Sequence, residues 1–438
     1  MEPAPPPAPT DAAAIRRRNL GLVLRHLADH GPTPRTELAA ATGLAHGSVT
    51  ALVADLADRG LVAEDDAHRS GGRGRPIRPV RLIPTRAAVA AVQVTSEDLR
   101  IAVADLSGEI IWRDTVPHHL APGTPEAMAA AIAEVIARAA VEGCGKLSAT
   151  AESGDESTHA AAPRPILVRA VIAMAGPVRE DAAQTVMVAP DFGWLSPVRL
   201  GELVAAALAA RPEARDPERA RPGAGVAIAV INDANSAALA EFHALQRKPR
   251  GLVLIEAGTG IGGGVVLDGR IHTGTHGIAG EPGHIPVAMD GPECVCGARG
   301  CLVTFAGPEA VLATAGLRDL LHHNGLRAAT TEFRNRLRGG DQQARAAATI
   351  AARALGAAIL SITALLDVEE IILGGLLAEW FPWLSPAIED RLSGRRTLAP
   401  AVMLRVTPAT LGDNGILSGA LVLARRTVLS DPTCVAYG

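Results

Sequence analysis

Apolar residues recur at helical spacing in three short segments near the N-terminus, and a glycine follows each segment. The spacing predicts a first helix over about Asp11–His30, a second that opens at Thr33 and Pro34, and a third over about His46–Arg59. Thr33 would cap the second helix, and Pro34 would occupy its first turn. Two runs with strand character follow. Three helices with a two-stranded wing are typical of a winged helix-turn-helix, here over residues 11–84.

The predicted wing strands are Leu61–Glu64 and Pro79–Ile83, and an arginine- and glycine-rich segment joins them. In this motif the third helix enters the major groove of DNA, so we expect contacts to bases or phosphates near its start. The joining segment could lie in a narrow minor groove, where the negative potential is enhanced. The predicted DNA contacts are Arg35, His46, Ser48, Thr50, Arg73 and Arg75. An ordinary small helical domain and a solvated linker are the alternatives.

From Ala87 onward, runs typical of strands and of helices alternate, and this order of elements occurs twice. Predicted strands lie at 89–94, 99–105, 109–115, 167–173, 226–231, 251–257, 265–267, 370–373 and 403–408. Residues 143–165 lack apolar periodicity and are predicted to form a disordered insertion. The pattern therefore predicts two α/β lobes around a cleft.

Composition and charge narrow the class of protein. With 438 residues, of which 48% are hydrophobic and 20% charged, the chain predicts two or three globular domains. The net charge of −4 gives no overall signal for nucleic acid, although Ala67–Arg81 holds five arginines and no acidic residue. We predict a disordered leader over 1–10 and a tail over 428–438. Because neither a signal peptide nor a long apolar run is visible, we expect a cytoplasmic protein without a membrane span.

Three of the five cysteines lie close together, and a histidine precedes them. His284, Cys294, Cys296 and Cys301 offer the imidazole and thiolate ligands of a closed tetrahedral zinc site. Glycines within the run would let the backbone wrap around the ion. Because protein ligands fill all four positions, the pattern predicts one structural zinc ion per chain rather than a catalytic one. A chance cluster or a disulfide pair is the alternative.

Other polar residues follow predicted strands at positions where they could bind a ligand. Asp233 could act as a general base toward a sugar hydroxyl, with Asn232, Glu281 and His284 binding further hydroxyls. Alternatively, Asn232 and Asp233 cap the helix that follows them. A glycine-rich run after one buried strand could cradle phosphate or could serve close packing. Its candidate phosphate-binding residues are Gly258, Thr259, Gly260 and Gly262.

Several short motifs recur in one known family. They are Gly-Pro-Val at 176–178, Pro-Asp-Phe-Gly-Trp at 190–194, Asn-Asp-Ala-Asn at 232–235, the glycine run at 258–264, Gly-Glu-Pro-Gly-His at 280–284, the cysteine run, and Leu-Gly-Gly at 373–375. Together they resemble the ROK family of repressors, open reading frames and sugar kinases, from about Asp11 to Arg426. The resemblance implies an actin-like, sugar kinase-type ATPase fold over 87–427 that binds an effector and dimerises. The repressor branch of the family carries an N-terminal helix-turn-helix, which the kinases lack.

The chain departs from the family's kinases where they bind phosphate. Their first strand ends in Asp-x-Gly-Gly-Thr, whereas this chain reads Gln-Val-Thr-Ser-Glu-Asp over Gln93–Asp98. The resemblance also places Asp191 where the family's sugar pocket has Asn, and Val303 where it has Glu. We therefore expect no kinase activity, with Asp233 retained as a vestigial base.

The resemblance favours a transcriptional regulator, a repressor of carbohydrate-use genes that binds double-stranded operator DNA as a homodimer or tetramer. A sugar or sugar phosphate would bind in the kinase-like domain. The residues implied for this effector are Asp191, Asn232, Asp233, Glu281 and His284. The alternatives are a sugar kinase that uses Asp233 as general base, and a regulator that responds to a partner protein or to no sugar.

Overall fold

The computed structural model describes residues 11–65, 78–152, 165–211, 225–398 and 404–437. The chain divides into two compact units. Residues 1–176, 180–231 and 420–438 belong to the first, and residues 177–179 and 232–419 belong to the second. The first unit therefore combines the N-terminal helices, one α/β lobe and the C-terminal residues, and the second unit holds the other lobe.

The N-terminal part of the first unit is a winged helix-turn-helix, as the apolar spacing predicted. Its elements are α1 (Ala12–His30), β1 (Thr33–Pro34), α2 (Arg35–Thr42), α3 (His46–Asp58), β2 (Val62–Glu64) and β3 (Pro79–Leu82). The strands pair in the order β1-β3-β2, so the sheet has three strands rather than the predicted two. The added strand arises because Thr33 and Pro34 pair with Val80 and Pro79 instead of beginning α2. The Thr33 hydroxyl donates to the Gly31 carbonyl at 2.9 Å and does not cap α2.

The α/β lobe of the first unit contains a five-stranded sheet in the order β10-β7-β4-β5-β6. Its elements are β4 (Ala87–Val94), β5 (Asp98–Asp105), β6 (Ile110–Pro117), α4 (Pro125–Glu152), β7 (Ile166–Met174), α5 (Leu200–Ala209) and β10 (Ala227–Asn232), with the short strand β9 (Thr185–Val186) before α5. The short strand β8 (Val178–Arg179) belongs to the second unit. The first three strands form the predicted antiparallel meander, and β7 pairs parallel to β4.

Helix α4 extends into the predicted insertion. It continues to Glu152, so residues 143–152 of the predicted insertion are helical, and residues 153–164 lie outside the described residues. Gly143 does not end the helix because it serves packing: a Cβ there would lie 2.9 Å from Val103 Cγ2 on β5. Residues of good helix propensity, such as Lys146, follow it, and extending an existing helix is far easier than nucleating one.

The second unit contains a five-stranded sheet in the order β13-β12-β11-β14-β15. Its elements are α6 (Asp233–Ala244), β11 (Gly251–Ala257), β12 (Ile261–Leu267), β13 (Arg270–Ile271), α7 (Val303–Ala306), α8 (Pro308–Thr314), α9 (Arg318–Gly339), α10 (Gln342–Leu366), β14 (Glu370–Gly375), α11 (Leu376–Leu398) and β15 (Arg405–Pro408). The last helix of the chain is α12 (Gly415–Ser430). Strand β11 pairs antiparallel with β12 and parallel with β14.

Alternate residues of β11 bury two different faces of the sheet. Leu252 and Leu254 pack with Phe242 of α6 on one face. Val253 and Ile255 pack on the other face, in a core that includes α10 and α11. Helix α10 is long and apolar enough to cross a membrane by length and composition, but half of its most apolar window is buried, and this core accounts for its apolar character.

A buried charge cluster holds the end of α3 to the C-terminal segment, residues 431–437, within the first unit. Asp55 accepts hydrogen bonds from Arg59 Nε at 2.9 Å and from Arg16 Nη2 at 2.6 Å. Burial acts to raise the pKa of Asp55, but these hydrogen bonds outweigh burial and lower the pKa below its usual value. Arg59, only 7% exposed, also donates to the Val435 carbonyl at 2.6 Å and the Tyr437 hydroxyl at 2.9 Å. One guanidinium thus joins α3 to the C-terminal segment.

Two further contacts fix the same junction. Arg86 donates to the Arg59 carbonyl at 2.9 Å and to the Ala436 carbonyl at 3.2 Å. Gly21 lets α1 approach the end of α12 closely, because a Cβ there would lie 2.2 Å from the Ser430 carbonyl oxygen. The described part of the predicted tail is therefore a packed element of the first unit.

Replacing the buried guanidinium should destabilise the first unit. Arg59→Met keeps an apolar stem but leaves Asp55 with only the half-exposed Arg16 as partner. We expect the free energy of unfolding, measured by urea denaturation, to fall by about 3 kcal/mol, as when one partner of a buried ion pair is removed. Arg247→Met, which breaks an exposed pair with Glu369, is the control and should change it by less than about 1 kcal/mol. Equal effects of the two substitutions would contradict this account.

Candidate functional site

The start of α3 presents exposed polar side chains. Ala45 precedes the helix and no side chain caps its first N–H groups, which leaves them able to meet a phosphate. His46 and Ser48 are exposed. Thr50 is half-buried, and its hydroxyl donates to the His46 carbonyl at 3.1 Å. Of the predicted contacts on α3, His46 and Ser48 are therefore the ones most open to DNA.

The predicted arginine contacts fall into two groups. Arg35 is half-buried, and its Nη2 lies 2.6 Å from Glu64 Oε1, so that it ties α2 to strand β2. Contact with DNA would compete with this ion pair. Arg73 and Arg75 lie outside the described residues.

The predicted zinc ligands lie together in the second unit. The donor atoms of His284, Cys294, Cys296 and Cys301 all lie within 4.8 Å of one another. His284 Nδ1 is 3.5 Å from Cys294 Sγ, and the sulfurs of Cys296 and Cys301 are 3.6 Å apart. Tetrahedral zinc would separate two thiolates by about 3.8 Å and a thiolate from an imidazole nitrogen by about 3.5 Å. All four cysteine and histidine positions thus fit one zinc ion, and the three cysteines form no disulfide.

The backbone around these ligands explains their spacing. Gly297 and Gly300 have φ angles of 89° and 69°, and a Cβ on Gly300 would lie 1.7 Å from the Ala288 carbonyl oxygen. The turn therefore requires the glycines that the sequence predicted. Burial, together with the neighbouring thiols, raises the pKa of the Cys301 thiol to about 12. A divalent cation would be needed to hold this sulfur as the thiolate.

Asn232 and Asp233 lie at the start of α6, where they interact with the backbone. Asn232 Oδ1 accepts from the Asn235 N–H at 3.0 Å, and Asp233 Oδ1 accepts from the Ala234 N–H at 2.7 Å. The capping role that the sequence left open is thus present for Asn232. Both side chains are half-buried. They occupy the N–H groups that would otherwise attract an anion to this helix.

The charge of Asp233 affects the pKa values of two other carboxyl groups, Glu281 and Glu256. Burial and the charge of Asp233 raise the pKa of Glu281. Burial also raises the pKa of Glu256 to about 7, and the charges of Asp233, Glu241 and Asp413 act in the same direction. The sequence did not single out Glu256, because one acidic residue near the end of a strand is an ordinary feature. This part of the second unit is therefore strongly acidic.

The glycine-rich run is a hairpin rather than an open loop. Strand β12 begins at Ile261, so Gly262 lies in a strand and pairs with Glu256 of β11. Within the remaining turn, the Gly258 N–H donates to the Gly260 carbonyl at 3.1 Å, and Thr259 lies between them. A Cβ on Gly264, farther along β12, would lie 2.6 Å from Ala238 Cβ. Close packing, the alternative that the sequence left open, accounts for Gly264.

The turn between β4 and β5, in the first unit, has its amides occupied. Thr95 Oγ1 accepts from the N–H groups of Glu97 at 3.2 Å and Asp98 at 3.0 Å. The Thr95 N–H donates to the Asp98 carbonyl at 3.0 Å. Gln93, where the family's kinases have Asp, is buried. Because a phosphate loop binds through free N–H groups, this turn offers little to a phosphate.

A cavity of about 120 Å³ lies beside this turn in the first unit. Residues that line it include Ser96, His118, Met128, Asp191 and Trp194. His118 Nε2 donates to the Thr95 carbonyl at 2.9 Å, which makes Nδ1 an acceptor, and Nδ1 has no partner among the described groups. Asp191 is thus found in the first unit, whereas the other predicted sugar ligands belong to the second.

Two parts of the chain match models of known families. Residues 220–427 match the model of the ROK family. The chain carries a ROK family domain. Residues 21–73 match the model of the MarR family, so the winged helix that precedes the ROK domain is of MarR type.

Curated relatives of the ROK domain include kinases. The chain is 36% identical over 154 residues to an N-acetylmannosamine kinase of Citrobacter koseri and 39% identical over 152 residues to that of Salmonella typhi. The two alignments cover 34% and 35% of this chain and 50% of each relative. The chain therefore spans about half the length of the curated relatives that it matches.

Solved structures show the fold. A ROK family transcriptional regulator, described as a homologue of the E. coli MLC protein, is 24% identical with a TM-score of 0.73, covering 96% of this chain and 98% of that one. The ROK family glucokinase of Streptomyces griseus, in complex with glucose and AMPPNP, is 26% identical with a TM-score of 0.53, covering 77% and 99%. The second unit and the α/β lobe of the first thus have the actin-like, sugar kinase-type fold.

Neutralising Glu256 should stabilise the chain above neutral pH. Folding raises the pKa of this carboxyl from 4.5 to about 7, so its ionised form destabilises the folded state. The destabilisation is absent below the unfolded pKa and complete above the folded one. We expect Glu256→Gln to raise the free energy of unfolding by about 1–3 kcal/mol near pH 8 and by much less near pH 5.

Urea denaturation at the two pH values measures this difference. Glu309→Gln, at an exposed position in the first turn of α8, is the matched control and should have a small effect at both. If Glu256→Gln changed the free energy of unfolding equally near pH 5 and near pH 8, the raised pKa of Glu256 would be contradicted.

Proposed function

We propose that this chain is a DNA-binding transcriptional regulator that acts in the cytoplasm, as a repressor of carbohydrate-use genes. The observation that carries the proposal is the exposed start of α3, with His46 and Ser48, in a MarR-type winged helix joined to a ROK domain. The fold that the chain shares with a ROK family transcriptional regulator supports it. As a homodimer, the protein would bind palindromic half-sites about one or two helical turns apart.

We propose a sugar as the effector. Asn232, Asp233 and Glu281, all in the second unit, offer hydrogen-bonding groups suited to hydroxyls. Separately, Asp191 lines the cavity of the first unit. Such an effector can change DNA binding only if it binds the DNA-competent and DNA-incompetent states with different affinities. The occupied amides of the Thr95–Asp98 turn support a binding role for the ROK domain rather than phosphoryl transfer.

A sugar kinase is the second candidate. Asp233, the candidate general base, is the first residue of α6, and curated relatives of the ROK domain include N-acetylmannosamine kinases. An assay of ATP consumption over common hexoses separates the two candidates. Consumption that depends on both a sugar and Asp233 would favour the kinase.

A negative charge at the start of α3 should abolish specific DNA binding. Ser48→Glu puts a carboxylate where the helix would face phosphates and bases, so we expect the affinity to fall at least tenfold. Fluorescence anisotropy with a duplex that the unmodified chain selects from a random library measures this change.

Ser361→Glu, at an exposed position on α10 of the second unit, is the control and should bind the same duplex as the unmodified chain does. Undiminished binding by Ser48→Glu would remove α3 from the DNA interface.

We also infer one structural zinc ion per chain, which would brace the loop that carries Glu281. We expect the purified protein to contain one equivalent of zinc by elemental analysis and Cys296→Ser to lose it, because three ligands bind far more weakly than four. Loss of zinc should also weaken operator binding. Cys434→Ser, an exposed cysteine outside the cluster, should keep the metal. A folded, metal-free variant that binds the operator fully would break the link between zinc and DNA binding.

A further inference from the structure

Several backbone N–H groups of the second unit that could attract phosphate already have acceptors. At the start of α6, Asn232 and Asp233 accept from the N–H groups of Asn235 and Ala234. In the glycine hairpin, the Gly258 N–H is bonded within the turn. A phosphate would have to displace these acceptors to reach the amides.

Glu256 lies near the end of β11, the strand that leads into the glycine hairpin. Its partners in the sheet are Gly262 on β12 and Gly374 on β14, so neither neighbouring strand places a side chain beside it. A Cβ on Gly374 would lie 3.2 Å from Glu256 Cγ, and one on Gly375 would lie 3.3 Å from the same atom. The carboxylate therefore lies along a trough that glycines leave open at the end of β11.

Within the part of the chain that the structure describes, no cation compensates this carboxylate. Neither Glu256 nor Glu281 forms an ion pair among the described residues, and the charged groups that act on Glu256 are the carboxylates of Asp233, Glu241 and Asp413. Glu241 is itself fully engaged, since it accepts from the backbone and hydroxyl of the segment before α12. A phosphate dianion placed here would meet only like charges, which disfavour it.

One buried side-chain acceptor in this region lacks a partner among the described groups. Asn235 is 5% exposed, and its Oδ1 has no partner among the described groups. A Cβ on Gly280, the residue before Glu281, would lie 3.6 Å from this Oδ1. A ligand that donates hydrogen bonds through hydroxyls satisfies such acceptors, whereas a phosphate, which offers acceptors, does not.

We propose that Glu256 excludes phosphate from the glycine-lined edge of the second unit, so that the effector is an unphosphorylated sugar rather than a sugar phosphate or a nucleotide. This inference rests on the proposed regulator function and narrows its ligand to one chemical class. It also assigns Glu256 as a residue that determines specificity.

Isothermal titration of the full chain with ADP, and with glucose 6-phosphate beside glucose, tests the proposal. The unmodified chain should bind neither phosphorylated probe at millimolar concentrations. Near pH 8, where Glu256 is ionised, Glu256→Gln keeps the side-chain shape and removes the charge, so its affinity for ADP should rise at least tenfold. Glu256→Thr, which removes the charge and also shortens the side chain, should likewise raise the affinity for ADP. It replaces Glu256→Gln in the test if that variant folds poorly. Glu309→Gln is the matched control and should behave as the unmodified chain.

Tight binding of ADP or glucose 6-phosphate by the unmodified chain would overturn the proposal, and so would variants that remain folded and gain no affinity for ADP. DNA binding, measured on the same samples, separates this failure from failure of the proposed function. If the chain binds both specific DNA and a sugar phosphate, the proposed regulator function stands and the proposed exclusion of phosphate is wrong. If the chain binds neither phosphorylated probe and no specific DNA, the proposed exclusion of phosphate stands and the proposed regulator function is wrong.

Discussion

The buried guanidinium of Arg59 is the group on which the arrangement of the first unit depends. Its charge is compensated by Asp55, one turn earlier on the same helix, and its remaining N–H groups are used by the backbone at Val435 and the hydroxyl of Tyr437. A buried charge with these partners is stable only while all of them stay in place. The helix that would read DNA and the last residues of the chain are therefore held as one structural element.

Both units keep a kinase-type architecture while several groups that could bind phosphate are already engaged. In the first unit, the Thr95 hydroxyl occupies amides of the turn that would face a phosphate. In the second unit, Asn232 and Asp233 occupy those at the start of α6, and Glu256 adds a carboxylate beside the glycine hairpin. The sheets and helices remain, because their stability comes from apolar packing rather than from the ligand. Such a domain is suited to sensing a neutral ligand.

The features predicted from the sequence are the ones that local patterns determine. Helical spacing, the meander and the clustering of His284 with the three cysteines were predicted correctly in position, since each depends on residues close together in the chain. The contact of Arg59 with Tyr437 joins residues far apart, and nothing in the local pattern indicates it. Strand register likewise decides that Glu256 lies between glycines and that Gly262 belongs to a strand. Gly143 was read as a break because its contact with β5 exists only in the folded chain.

Selection of DNA by the purified full chain tests the central claim most directly. The chain is mixed with a random duplex library at near-physiological salt, and the bound duplexes are amplified and sequenced over several rounds. The account predicts enrichment of one palindromic sequence whose half-sites lie about one or two helical turns apart, on one face of the duplex. Bound duplexes with no sequence in common would contradict the claim that this protein is a regulator that recognises an operator.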